Sequence, residues 1–321
     1  MTPEIIALAR STGLVLSGLL MLVGGGESLV AGATRLAVRL GMKPVLIGMT
    51  VVAFGTSIPE LFVSLTASLQ GYPDIMIGNV VGSNIANIGL ILGCCALIAP
   101  LSLTMREVWV ELLLVVCGSV LLILCSGYGF FPRAMGLLFV LTLVSYTALI
   151  CINGMKGKAD SPALTAEEGH KDDTMPLPML LLVIGIGLIL LASGSNLFIR
   201  GAVDLARYFG VSELIIGLTL AAVGTSLPEL ASSLAALRHG ESGLLIGNVI
   251  GSNMFNLFMV LGLTGLISPF HLSPALLHRD LPVMLAFTLL LIPVLHKTGG
   301  TRRWHGLLFL GGYLLYCASL L

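Results

Sequence analysis

GTSIPEL at residues 55–61, followed by IGNVVGSNIAN at 77–87, is written a second time as GTSLPEL at 224–230 and IGNVIGSNMFN at 246–256. The surrounding stretches, 48–93 and 217–262, align without a gap at an offset of 169 residues, with 23 of 46 positions identical. Each copy places one glutamate, Glu60 or Glu229, inside a strongly apolar segment. An ionised carboxylate in hydrocarbon costs free energy, so such residues are rare and mark functional positions. Duplicated, interrupted apolar segments at matching places in two halves point to a binding site built between them.

Composition sets the class. Of 321 residues, 56% are hydrophobic and 10% are charged, with a mean hydropathy of +1.04. A soluble domain carries about 25% charged residues. So few charges cannot cover a water-facing surface, and the chain reads as an all-α integral membrane protein. Its formal net charge is zero, which gives no reason to expect a nucleic-acid partner. The N-terminus lacks the charged start and small-residue cleavage site of a secretory signal, so the first span is expected to direct insertion. Cys94, Cys95, Cys117, Cys125, Cys151 and Cys317 form no C-x-x-C pair. They are expected to be small buried hydrophobes, because the spacings of zinc and redox motifs are missing.

A membrane-crossing helix needs about 20 apolar residues. Ten candidate spans follow: 12–34, 44–69, 74–98, 107–126, 131–153, 177–199, 211–237, 242–267, 280–296 and 303–321. The organisation is a first five-helix repeat (1–153), a polar linker (154–176) and a second five-helix repeat (177–321). Five is odd, so the second repeat enters the membrane from the opposite side, and the ten transmembrane helices form two inverted-topology repeats. The odd-numbered loops and the linker carry eleven Lys and Arg against five elsewhere. That asymmetry puts the linker in the cytoplasm and both termini outside.

The repeated motif has its own chemistry. Pro59 has no N–H, so the Gly55 carbonyl four residues earlier loses its helical partner. Irregular backbone at membrane depth survives only where it lines a cavity or is buried in protein. Thr56 and Glu60 are spaced i, i+4, on one face of a helical turn. The same holds for Thr225 and Glu229, beside Pro228. Ser83 and Asn87, and again Ser252 and Asn256, are i, i+4 and offer neutral oxygens. Gly78 with Gly82, and Gly247 with Gly251, are small-residue pairs that let spans approach closely. Two carboxylates, amides, hydroxyls and freed carbonyls, with no nitrogen or sulfur donor, describe a site for a hard cation such as Ca²⁺ or Na⁺.

At these residues the chain resembles the cation/calcium exchanger superfamily and, more narrowly, the prokaryotic sodium/calcium antiporters. The resemblance implies ten helices, with alternating access by sliding of the first and sixth across a four-helix core. It implies that Glu60 and Glu229 are shared Ca²⁺ and Na⁺ ligands and that Thr56 and Thr225 line the calcium site. Ala53 and Ala222 would give backbone carbonyls, and Ser57, Ser226, Ser83 and Ser252 would complete flanking sodium sites. Asn87 and Asn256 would sit at the centre. Asn256 stands where some archaeal members carry aspartate, which leaves H⁺ coupling open beside Na⁺ coupling. The implied setting is a prokaryotic inner membrane, with the lipid bilayer and the transported ions as partners, no covalent cofactor and no obligatory protein partner.

Other readings are weaker. A cation channel usually sets its carboxylates in rings around a symmetric pore. An intramembrane hydrolase would need a histidine near Ser57 or Ser226. His170, His239, His271, His278, His296 and His305 all fall in loops or near span ends and are expected to be solvated. Glu107 and Glu111 are expected at an interface. Glu27, after three glycines, is expected to serve structure or gating and not to bind an ion.

Overall fold

The computed structural model describes residues 3–156, 175–211, 224–273 and 276–320. Within these, the first half holds α1 (Pro3–Leu40), a bent pair α2 (Pro44–Thr56) and α3 (Ile58–Leu69), α4 (Pro73–Ile98), β1 (Leu101–Ser102), α5 (Trp109–Gly127), β2 (Phe130–Phe131) and α6 (Arg133–Lys156). The second half holds α7 (Leu177–Tyr208), α8 (Leu227–Arg238), α9 (Ser242–Ile267), β3 (Phe270–His271), α10 (Leu281–Thr298), β4 (Gly300–Thr301) and α11 (Arg303–Leu320). Among the described residues seven helices are long and apolar enough to cross a membrane. The α2–α3 pair, bent by 42°, makes an eighth if it is one span. Residues 212–223, the start of the expected seventh span, and 157–174, most of the expected linker, lie outside the described residues.

Two helices overrun the expected 12–34 and 177–199: α1 has 38 residues and α7 has 32. At 1.5 Å per residue they are about 57 and 48 Å long, against a hydrocarbon core of about 30 Å. They must therefore tilt or project. They pack antiparallel through glycines. A Cβ at Gly25 would lie 2.9 Å from the Gly187 carbonyl oxygen, and one at Gly194 would lie 2.9 Å from that of Gly18. Shifting by 169 residues exchanges Gly18 with Gly187 and Gly25 with Gly194, so this interface maps onto itself.

The strands show the same reciprocity. β1 pairs with β4 and β2 with β3, both antiparallel, and each pair ties one half to the other. At the centre lies α9, buried over most of its length. It presses on α2: a Cβ at Gly247 would lie 2.4 Å from the Val45 carbonyl oxygen, and one at Gly251 would lie 2.7 Å from the Ala53 Cβ. The matching approach to Gly78 and Gly82 would involve 214–222, outside the described residues.

Three expectations need correction. Glu111 does not face outward from the bundle. It is 5% exposed and accepts a hydrogen bond from the Tyr146 hydroxyl of α6, which lets the carboxylate stay inside the bundle. Asp280, its equivalent at the 169-residue offset, accepts one from Tyr316 at 3.1 Å and pairs with Arg279. Glu107 does stay partly exposed, 2.7 Å from Lys43. His305 is buried, because its ring accepts the Arg302 N–H (2.9 Å) and so closes the first turn of α11. Of the cysteines, Cys95 and Cys125 are buried, Cys94 and Cys317 are half-buried, and Cys117 is exposed on the outer face of α5.

Candidate ion-binding site

The backbone break comes one residue after Thr56. Ser57 leaves the helix at φ −83°, ψ 1°, while its N–H still donates to the Ala53 carbonyl (3.0 Å). The ladder resumes when Leu61 N–H donates to the Ser57 carbonyl (3.1 Å). Pro59 thus opens α3 and does not kink a continuous helix. The first turn tolerates proline, because its N–H would have no partner there anyway. Glu60 follows in that same first turn, where the aligned peptide dipoles favour a negative charge.

The second half repeats this. Ser226 sits at φ −89°, ψ 7°, Leu230 N–H donates to its carbonyl (3.0 Å), and Glu229 lies in the first turn of α8. Both glutamates are 0% exposed.

α4 and α9 bring the remaining oxygens. Ser83, Asn87, Ser252 and Asn256 are all buried. Asn87 and Asn256 each open a widened π turn, Asn87–Leu92 and Asn256–Leu261. Such turns are frequent at functional sites, and nothing in the sequence announced them. Asn87 donates to the Asn253 side-chain oxygen (3.0 Å), which leaves its own oxygen free.

The hydrogen bonding is lopsided here. Both oxygens of Glu60 and of Glu229 make no hydrogen bond, nor do the hydroxyls of Ser57, Ser83, Ser226 and Ser252, the Asn87 oxygen or either polar atom of the Asn256 amide. A buried polar atom without a partner costs about 1–3 kcal/mol, and native structures keep such atoms few. So many, equivalent by pairs across the two halves, make a set of oxygens suited to a hard cation. Among the described residues no three His, Cys, Asp or Glu side chains gather to hold a metal, which distinguishes the site from a zinc centre.

Other expected residues differ in detail. Thr56 is buried and Thr225 half-buried. Their hydroxyls are not free but donate to Asn248 (3.4 Å) and Asn79 (3.1 Å). Ala53 is buried, with its carbonyl taken by Ser57 N–H and approached by the Thr56 hydroxyl at 3.4 Å. Ala222 lies outside the described residues. Asn79 and Asn248 were not singled out from the sequence, although both copies of the motif carry them. Glu27 pairs with Arg238 (2.7 Å) and His239 (2.6 Å), which joins α1 to the end of α8.

Residues 10–152 and 179–321 each match the family described as sodium/calcium exchanger protein. The chain is 39% identical to the putative antiporter CaxA of Alkalimonas amylolytica over 90% of this chain and 91% of that one. It is 38% identical to the inner membrane protein YrbG of Escherichia coli strain K12, over 97% and 96%. Its structure is similar to that of the sodium-calcium exchanger NCX_Mj soaked with Na⁺ and Sr²⁺, with a TM-score of 0.82 and 33% identity over 98% of this chain and 99% of that one.

Proposed function

We propose, on the premise that the chain belongs to the sodium/calcium exchanger family, that it exports Ca²⁺ in exchange for Na⁺ by alternating access. Membership makes it a multi-pass membrane antiporter and not an enzyme. The observation that carries the finer reading is the cluster of buried, unpartnered oxygens around Glu60 and Glu229. Two carboxylates balance one Ca²⁺, and the serine and asparagine oxygens complete its shell. Na⁺ claims the same two carboxylates, so the ions compete. An occupied site hides its charge from lipid, while a site with both carboxylates bare resists crossing. That difference couples the two fluxes.

In this reading the ten spans form two inverted repeats. The reciprocal α1–α7 glycine contacts and the paired β1–β4 and β2–β3 ribbons support it. α1 and α7 slide as one body across the core that carries the site. The linker is cytoplasmic and the termini are outside, as the Lys and Arg asymmetry favours. An inner-membrane location is in keeping with the name of YrbG.

Exchange of Ca²⁺ for H⁺ is the second reading, favoured by one observation. Asn256 is neutral, and two protons would neutralise Glu60 and Glu229 as one Ca²⁺ does. Calcium flux in proteoliposomes, with Na⁺ and pH gradients imposed separately, decides between them. An outward-directed Na⁺ gradient alone is expected to drive Ca²⁺ uptake, and uptake driven by pH alone would favour the second reading. Equal uptake with no counter-gradient would mean a channel. Asn256→Asp is expected to change the Na⁺ dependence of exchange several-fold and the apparent Ca²⁺ affinity less. An unaltered Na⁺ response would count against a central place for this residue.

A further inference from the structure

Asn79 on α4 and Asn248 on α9 are 169 residues apart and occupy equivalent places beside the site. Each amide reaches in two directions. The Asn79 nitrogen donates to Ser64 Oγ (2.9 Å) and to the Glu60 carbonyl (3.4 Å), both on α3. Its oxygen accepts from the Thr225 hydroxyl (3.1 Å), which belongs to the other half. The Asn248 nitrogen donates to Ser232 Oγ (3.0 Å) and Ser233 Oγ (3.2 Å), both on α8. Its oxygen accepts from the Thr56 hydroxyl (3.4 Å), again across the halves. Ser232 in turn donates to the Glu229 carbonyl (3.1 Å).

The direction of these bonds is forced. A carbonyl only accepts, so the group facing the Glu60 carbonyl must be the amide NH₂ of Asn79. The Asn79 oxygen then faces Thr225, whose hydroxyl has to donate. The Thr225 proton is thereby drawn onto Asn79. Ser232 spends its proton on the Glu229 carbonyl, so it must accept from Asn248; the Asn248 oxygen then faces the Thr56 hydroxyl, whose one proton it shares with the Ala53 carbonyl at the same 3.4 Å.

We infer that Asn79 and Asn248 are positioning residues that cross-brace the ion site. Each fixes the glutamate-bearing turn of its own half to the threonine that precedes the break in the other half. The separation of Glu60 and Glu229 is then set by both braces together, and with it the size of cation they hold. The braces differ in burial: Asn248 and Thr56 are each 1% exposed, whereas Asn79 and Thr225 are half-buried.

This inference rests on the proposed site, and its test separates the two. Equilibrium ⁴⁵Ca²⁺ binding to the purified full chain is measured for Asn79→Ala, Thr225→Val and the pair together. Loss of one net hydrogen bond predicts about tenfold weaker binding in each single variant. The double variant is expected to bind no more weakly than either single one, because Asn79 acts through Thr225. Thr225→Ser keeps the hydroxyl and is expected to keep the affinity. Independent losses that multiply in the double variant would overturn the brace. So would unchanged binding in Thr225→Val, which is isosteric and tests the brace even if Asn79→Ala does not fold. If Glu60→Gln and Glu229→Gln also leave binding intact, the site itself is misplaced. If they abolish it while the pair is additive, only the brace fails.

Discussion

Glu60→Gln and Glu229→Gln are each expected to abolish calcium exchange while leaving the empty protein at least as stable as before. Either change removes one of the two charges that balance Ca²⁺ and points an amide NH₂ into a pocket of acceptors. Removing one partner of a buried charge pair costs about 3–5 kcal/mol, so transport and Ca²⁺ affinity should fall by a hundredfold or more. Stability moves the other way. Both carboxylates are fully buried and make no hydrogen bond, so the wild type bears a desolvation cost that a neutral amide reduces. Thermal unfolding in Na⁺- and Ca²⁺-free buffer should show an unchanged or raised midpoint. Calcium should raise the midpoint of the wild type but not of the variants, since a ligand stabilises only the state it binds. Near-normal exchange in both variants would remove the basis for the proposed function.

Gly247→Ala is expected to damage both stability and exchange through one added methyl group. In an unconstrained helix this change stabilises by about 0.5–1 kcal/mol. Here the new Cβ would stand 2.4 Å from the Val45 carbonyl oxygen, a backbone atom held in α2. Overpacking a tight core costs about 1–3 kcal/mol, and relief requires α2 and α9 to separate. Those helices carry Thr56 and Asn248, already at a long 3.4 Å, so the variant should lose calcium affinity as well as stability. Gly24→Ala, whose Cβ would meet no atom within 4 Å, is the control and should leave exchange unchanged and stability unchanged or slightly raised. Equal melting temperatures and equal exchange for the two variants would mean that the α2–α9 contact is looser than the structure shows.

Much of the site could be read from residue types. A glutamate beside a proline within an apolar segment, written twice, is costly enough to stand out. The unpartnered oxygens of Glu60, Glu229, Ser57, Ser226, Ser83, Ser252 and Asn87 are all among the residues that the motif singles out. Asn79 and Asn248 escaped because asparagine in a polar motif has many uses. Whether an amide oxygen faces a cation or another side chain depends on what lies across from it. Asn87 and Asn79 sit in one motif eight residues apart, yet one amide leaves its oxygen free and the other spends its oxygen on Thr225. Glu111 shows the opposite error. At the start of a span it looks interfacial, and only Tyr146, 35 residues further on, keeps it inside. His305 likewise lies near a span end, but it is buried by a bond to the backbone of its own turn.

By itself the sequence determined the membrane class, the duplication and the identity of the two acids. Apolar content, self-similarity and the cost of charge in hydrocarbon are properties of residue types along the chain. Only the tertiary structure decided which oxygens are left without partners, where the helices break and widen, and which asparagines brace one half against the other. Those outcomes depend on hydrogen bonds between residues as many as 192 positions apart, such as Thr56 and Asn248. No local pattern encodes a donor and an acceptor that meet only when the two halves pack.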